Sequence, residues 1–212
     1  MLQIICLDRI DSTQTYLKEQ LQNKKFHAPI AVSAELQTNG IGSRDNSWKS
    51  QKGNLFLSFA LPLENLPDDL KIESASIYFA FLLKEALASF SSKVWIKWPN
   101  DFYLDDKKVG GMITNIVDKN LVCGVGLNIA DAPDGFTKLD VEIDKKVLIK
   151  NYFKNIEKKV LWKQVFSKYK LEFYRNQNFF THSNGVKVSL GDAELYDDGS
   201  LNINGERIYS LR

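Results

Sequence analysis

Residues 97–111, KWPNDFYLDDKKVGG, crowd lysines and aspartates around a Trp-Pro dipeptide and a Gly-Gly step. A lysine ammonium is a compact cation suited to phosphate or carboxylate oxygens. Lys97 closes the short strand VWIK, and Lys108 follows after a turn or short strand, so both fall near one mouth. Asp101 lies between them and could hold a Mg²⁺ beside such phosphates. Any one of these residues is at home on a solvated loop. Their concentration is what asks for a ligand.

A second pattern supplies a place for that ligand. Read as a strand, LVCGVGLNI (121–129) alternates: Val125, Leu127 and Ile129 face the core, while Gly124, Gly126 and Asn128 face away. Glycines in a strand often mark the close approach of a ligand or another backbone. A hairpin folded about Lys119 sets Gly111 opposite Leu127 and Gly110 opposite Asn128. The result is a bare platform for a flat ligand, with Asn128 reading its edge. The competing use of this pattern is a helix packed on a flattened sheet. Asp11-Ser12-Thr13 opens a helix, where plain capping and contact with a polar ligand suit the same residues. The polar stretch after Gln37 exceeds the usual connection length. Its Arg44 and Trp48 suit a cover that closes over a bound anion.

Several chemistries are excluded. There is no P-loop and no Rossmann glycine fingerprint. His27 and His182 do not neighbour a glycine-flanked serine, which argues against a Ser-His-Asp hydrolase. No Cys-x-x-Cys pair offers a zinc site. Chemistry here must come from lysine, arginine, backbone amides and a bound metal.

The elements that position these residues can be read from periodicity. LQIICLD predicts a strand, and DSTQTYLKEQLQNKK a helix with Thr13, Leu17 and Leu21 at helical spacing. PIAVSAEL and LFLSFALPL predict strands, ESASIYFAFLLKEALASF a helix buried on most sides, and VWIKW a further strand. Residues 102–130 read as strands with a hairpin tip at DKN, and residues 142–175 as two amphipathic helices. The last thirty or so residues alternate in short runs cut by DDG and NG, both hairpin signals. The prediction is an α+β domain over 1–180 and a small β unit over 181–212, with the boundary near Thr181. No internal repeat or low-complexity tract occurs.

With 44% apolar and 25% charged residues in 212, the composition is that of a soluble globular chain of one or two domains. No apolar run approaches the roughly 18 residues of a membrane span. The first residues lack the basic start of a signal peptide, so the cytoplasm is expected. Cys6 and Cys123 sit in apolar contexts and predict buried thiols of a reducing compartment. The net charge is +2, and the basic run 154–170 suits a solvated helix face better than a nucleic-acid contact.

Taken together, these residues resemble the biotin protein ligases. KWPNDFYLDDKKVGG looks like the signature of that family, and DSTQ, QTNGIGSRDNSW, GNLFLSF and GVGLNI follow its order and spacing from about Leu2 to Ile129. The resemblance implies a class II synthetase-like mixed sheet with flanking helices and a small C-terminal β-barrel-like unit. It implies two steps on the substrates biotin and Mg-ATP. Biotin attacks the α-phosphate to give biotinyl-5′-AMP and pyrophosphate. A lysine of the biotin carboxyl carrier protein of acetyl-CoA carboxylase then attacks the mixed anhydride. By motif, Ser12, Thr13, Gln14, Gln37 and Gly40 would hold biotin, with Gly111, Gly124 and Gly126 beneath it. Lys108, Arg44 and Lys97 would be catalytic. Trp48, Asn100, Asp101 and Asn128, with Arg44 and Lys108, would bind the nucleotide, and Asp101 the Mg²⁺.

The chain departs from the family pattern at the loop. Ile41 and Ser43 stand where the family carries arginines, leaving Arg44 as the cation before Trp48. That implies weaker retention of the adenylate. The C-terminal unit looks short, and no winged-helix segment precedes DST, which suits a ligase without DNA binding or a membrane partner. An exposed strand edge in such a fold could pair two chains. The rival readings are a lipoate or octanoyl ligase or transferase, a biotin-binding protein without turnover, and, more distantly, a DNA-binding regulator. An octanoyl transferase wants a nucleophile, and on this strand register Cys123 points to the core.

Overall fold

The computed structural model describes residues 2–43, 46–183 and 185–209. Strand β1 (Gln3–Ile10) leads into helix α1 (Thr13–Gln22), then β2 (Ile30–Gln37). The polar stretch that follows forms a small hairpin of β3 (Gly40–Ile41) and β4 (Ser47–Trp48) before β5 (Leu55–Pro62) and helix α2 (Ala75–Ala88). Next come β6 (Trp95–Lys97), β7 (Asp101–Leu104), β8 (Lys107–Val117) and β9 (Asn120–Leu127), then helices α3 (Lys145–Glu157) and α4 (Trp162–Glu172). A seven-stranded mixed sheet runs in the order β1-β2-β5-β9-β8-β7-β6; β1 and β2 are parallel and the other neighbours antiparallel.

The two faces of this sheet are covered differently, and that creates the site. One face carries the main core: Phe59, Leu57, Cys123, Val125 and Leu127 pack with α2, α3 and α4. Helix α2 is apolar almost all round and is buried accordingly. The other face is covered only in part, by α1. Leu17 and Leu21 pack there on Val32, Ala60 and Val122. Along β9 the outward residue under α1 is Val122; the next two are Gly124 and Gly126. Apolar side chains stop where the helix stops, and bare backbone begins.

Two expectations are corrected. The β8–β9 register is Gly110 opposite Leu127 and Gly111 opposite Gly126, one residue from the pairing expected of a hairpin centred on Lys119. The turn is the two-residue kind, Asp118-Lys119 between paired Val117 and Asn120, with Asp118 at φ 51°. Cys6 is exposed, because β1 is an edge strand, whereas Cys123 is buried.

The C-terminal residues form β10 (Phe180–Ser183) with β11 (Val186–Ser189), and β12 (Glu194–Leu195), β13 (Leu201–Ile203) and β14 (Glu206–Ile208) as a three-stranded sheet; among the described residues they do not close into a barrel. Asn204 and Gly205, both at positive φ, make the β13–β14 turn that the NG pair predicts. Leu190, Leu195, Leu201, Ile203 and Ile208 join the main core. Trp98, fully buried, donates its indole N–H to Gly199 O at 2.8 Å, and its backbone N–H to Asn176 Oδ1 at 2.8 Å. The tryptophan beside the lysines is therefore an anchor that pins the end of β6 to the C-terminal sheet. Among the described residues no helix is long and apolar enough to cross a membrane.

Candidate active site

The polar knot and the glycine platform are one structure. Lys97 pairs with Asp101, Asp101 with Gly111, and Gly111 with Gly126, so four strands present one row across the open face. A parallel row sets Ser58 beside Gly124 and Gly124 beside Ile113. Lys108 Nζ lies 2.7 Å from Asp101 Oδ1, and Lys97 Nζ lies 3.8 Å from Asp101 Oδ2. Two ammoniums bracket one carboxylate, leaving a net cation at one end of the cleft.

Lys108 reaches this face through a β-bulge. Phe102 pairs with Gly110 but Tyr103 pairs with Lys108, so Val109 is the extra residue on β8. Val109 is fully buried in the main core, and a Cβ on Gly110 would strike Gly126 O and Leu127 on that same side. The bulge thus spends two consecutive residues on one face and returns Lys108 to the face of Gly111. Strict alternation from Gly111 would have aimed it into the core.

Each platform glycine makes room for a named side chain. A Cβ on Gly124 would sit 2.6 Å from Gln14 Oε1, one on Gly126 2.6 Å from Trp48 Cε2, and one on Gly111 3.0 Å from Asp101 Oδ1. The far wall is polar. Thr13 N and Oγ1 donate to Gln37 Oε1 at 2.8 and 3.1 Å, Thr13 Oγ1 is 2.9 Å from Ser58 Oγ, and Ser12 caps α1 by accepting from Thr15 N. Trp48, on the small hairpin, covers the platform. As it stands the cleft encloses about 40 Å³, room for a few waters. Two buried polar atoms in this lining have no partner: Gln14 Oε1, an acceptor, and Trp48 Nε1, a donor.

Of the residues singled out by sequence, Ser12, Thr13, Gln14, Gln37, Trp48, Asp101, Lys108, Gly111, Gly124 and Gly126 line this one cleft, as do Ile41 and Ser43. Lys97 stands behind Asp101. Asn100 does not face the cleft: it is buried and donates to Met112 O at 2.6 Å. Asn128 is likewise buried, donating to Thr137 O, and it borders a separate hollow with Trp48, Pro133 and Phe136. Gly40 forms the base of the hairpin, where a Cβ would lie 2.8 Å from Trp48 O and 2.9 Å from Gln37 Nε2. Arg44 lies outside the described residues. Sequence reading missed Ser58, whose only signal was a hydroxyl amid the apolar run LFLSFALPL. It also missed Asn54, fully buried, whose Oδ1 accepts from the backbone N–H groups of Ile129, Ala130 and Asp131 and so fixes the chain beyond β9.

The electrostatics separate acid–base candidates from structural groups. Burial, helped by the Asp101 charge, pushes the Tyr103 phenol up to about 12, so it stays neutral beside the lysines. Burial pushes the Cys123 thiol well up, and its side chain belongs to the main core, so it is no nucleophile for the cleft. What remains is fixed cations, amide and hydroxyl hydrogen bonds and an uncluttered backbone. Groups of these kinds can bind and polarise an anion without covalent catalysis.

Residues 6–128 match the sequence model of the biotin/lipoate A/B protein ligase family. The bifunctional ligase/repressor BirA of Escherichia coli is 34% identical over 134 residues, which is 60% of this chain and 40% of BirA. The biotin–[acetyl-CoA-carboxylase] ligase of Mycobacterium tuberculosis is 26% identical over 110 residues, 50% of this chain and 41% of that protein. The matched part thus spans about 40% of the length of these curated relatives. The solved structure of biotin acetyl coenzyme A carboxylase synthetase from Helicobacter pylori with bound biotinylated ATP superposes with a TM-score of 0.94 at 40% identity, over 99% of this chain and 100% of that one. Biotin protein ligase from Aquifex aeolicus, in complex with biotin and ATP, shares the fold with a TM-score of 0.81 at 22% identity over 100% and 97% of the two chains.

Proposed function

The chain belongs to the biotin/lipoate A/B protein ligase family, and we propose that it is an ATP-dependent biotin protein ligase acting on a biotin carboxyl carrier domain of acetyl-CoA carboxylase. The observation that carries this reading is the likeness, over 99% of this chain, to the Helicobacter pylori synthetase bound to biotinylated ATP. The cleft supplies the chemistry. Ser12, Thr13, Gln14, Gln37 and Ser58 offer hydrogen bonds to a polar ring system lying on Gly124 and Gly126. The alkyl tail runs toward Gly111, and its carboxylate meets Lys108.

In the first step a carboxylate oxygen of biotin forms a bond to the α-phosphorus of ATP. The bond from that phosphorus to the bridging oxygen breaks, and pyrophosphate leaves. Charge grows on the α-phosphate oxygens in the transition state, and Lys108 Nζ is placed to stabilise it. Asp101 and Lys97 hold that ammonium in place. In the second step the neutral amine of the carrier lysine attacks the acyl carbon, AMP leaves, and an amide remains. Trp48 closes over the adenylate and limits its hydrolysis.

Mg²⁺ accompanies ATP in this chemistry, but the residues present do not fit a metal held by the protein. Asp101 is a single carboxylate bracketed by two ammoniums, and no group of three or more His, Cys, Asp or Glu gathers among the described residues. An ion carried in on the triphosphate, with most of its ligands from phosphate and water, suits the site better.

The polar wall favours biotin over lipoate or octanoate, which call for an apolar slot. The test is pyrophosphate release from purified protein with Mg-ATP and biotin, lipoate or octanoate in turn. Release that depends on biotin alone is expected. Dependence on lipoate or octanoate would overturn the substrate, and biotin binding without release would overturn the enzyme.

A further inference from the structure

Asn176 lies outside the cleft lining, yet it is bonded to the strand end that carries Lys97. It closes the short 3₁₀ turn Phe173–Asn176 that continues α4, and it is fully buried. Its amide is committed at both ends: Oδ1 accepts the backbone N–H of Trp98 at 2.8 Å, and Nδ2 donates to Phe173 O at 3.0 Å. A backbone N–H only donates and a carbonyl only accepts, so a flipped amide would lose both bonds. Trp98 is the residue after Lys97. The pair Lys97–Asp101 closes a hairpin whose turn is Trp98-Pro99-Asn100, so both charged residues stand at the feet of this turn. Strand β6 is three residues long and lies at the edge of the sheet, paired with β7. Its ladder bonds hold Lys97 from the β7 side, and other groups must hold the turn. Toward β8, Asn100 Nδ2 donates to Met112 O at 2.6 Å and Met112 N to Asn100 O at 3.0 Å. From α4, Asn176 takes the Trp98 N–H. Phe179, on the same segment, sets its ring 5.2 Å from those of Trp95 and Tyr103, and the Tyr103 ring lies 6.0 Å from Lys97 Nζ.

We infer that Asn176 is a positioning residue for adenylation: by accepting the Trp98 N–H it fixes the turn that carries Lys97 and Asp101, and through Asp101 it fixes the aim of the Lys108 ammonium. The inference rests on the adenylation reading given above. It assigns a kinetic role to a side chain that touches no reacting atom. Displacing a reacting or charge-stabilising group by about 1 Å can cost about 100-fold in rate. Without Asn176 Oδ1 the Trp98 N–H would be buried and unpaired, and an edge hairpin can relieve that by shifting, with Lys97 and Asp101 at its base.

The test measures single-turnover pyrophosphate release at saturating biotin and Mg-ATP, with the biotin Kd from calorimetric titration and thermal melts alongside. Asn176→Leu removes the acceptor at similar size. It should lower the rate by about 10- to 100-fold and leave the biotin Kd unchanged, because Ser12, Thr13, Gln37 and Ser58 stand on other elements. Asn176→Asp keeps an oxygen for the Trp98 N–H and loses the donor to Phe173 O, so it should melt earlier yet keep most of the rate. In a Lys97→Met background, adding Asn176→Leu should cost less than it does in the wild type, because the two residues act through one turn. If Asn176→Leu does not fold, Asn176→Ser, whose hydroxyl falls short of the Trp98 N–H, takes its place. A variant that melts earlier but releases pyrophosphate at the wild-type rate would show a merely structural role and overturn this inference alone, as would full additivity with Lys97→Met. A wild type with no biotin-dependent release overturns the adenylation reading and this inference with it.

Discussion

Lys108→Ala tests the cation end of the cleft most directly. The ammonium lies 2.7 Å from Asp101 Oδ1, and the second lysine is farther off at 3.8 Å. Removing Lys108 takes the Lys97–Asp101–Lys108 group from a net formal charge of +1 to zero. Losing one donor of this kind costs about 10²- to 10³-fold in rate, or roughly 3–4 kcal/mol. Part of that loss is the donor itself, and part is the uncovering of Asp101. An anion about 5 Å from a phosphate, in an effective dielectric of about 20, is repelled by roughly 3 kcal/mol before solvent screening. The Asp101 side chain is 22% exposed, so screening removes a share. Lys108→Ala combined with Asp101→Asn should therefore recover about tenfold of the rate, close to 1.4 kcal/mol. The assay is single-turnover pyrophosphate release at saturating biotin and ATP, with thermal melts showing that the fold persists. A loss below about tenfold in the single variant would refute the charge-stabilising role. A double variant no faster than the single one would refute the account of Asp101.

Three further outcomes follow from the geometry. Gly126→Ala places a methyl 2.6 Å from Trp48 Cε2, so the indole must withdraw; overpacking of this kind costs about 1–3 kcal/mol, and calorimetric titration should show biotin binding weakened at least several-fold. Ile41, 44% exposed on the hairpin, lines the cleft without bringing a charge to it; Ile41→Arg should slow biotinyl-AMP release by about two- to fivefold, as exposed charge pairs do, and raising the salt should erase the gain, while salt-independent slowing would rule out an electrostatic origin. Burial alone would raise the Asp198 carboxyl, but hydrogen bonds from Ser200 and the charges of Arg207 and Lys71 outweigh it and hold the group below the usual carboxylate range. A lowered acid contributes stability above its unfolded pKa of about 3.9 and loses it as pH falls through the folded value. Urea melts at pH 6 and at about pH 3 should show the wild-type advantage over Asp198→Asn shrinking at the lower pH, and a constant advantage would contradict that linkage.

Much of the scaffold was legible because it follows from local periodicity. The helix over residues 75–88 is apolar on nearly all sides, and it is the central helix of the main core. The Asn204-Gly205 turn and the capped start of α1 were equally local, since each depends on a few residues that prefer one backbone geometry. Exposure was harder to read. Cys6 has an apolar sequence context, but exposure depends on which strand ends a sheet, and neighbours in the chain do not record that. Asn100 and Asn128 carry amides suited to ligand contact, and in the fold each also donates to a backbone carbonyl that its sequence neighbours do not reveal. A side chain's partner is set by distant segments.

The sequence by itself determined the parts list of the site: glycines alternating on one strand, lysines around an aspartate, hydroxyls at a helix start, and a tryptophan on a polar loop. It also determined that these parts sit among strands and helices of an α+β domain, because alternation and helical spacing are written locally. Only the tertiary structure decided how they meet. The row Lys97, Asp101, Gly111, Gly126 exists because four strands pair in one register. Lys108 joins that row because Val109 bulges toward the core and shifts the alternation by one. A bulge is settled by pairing with a neighbouring strand, and the period of a single strand carries no trace of it.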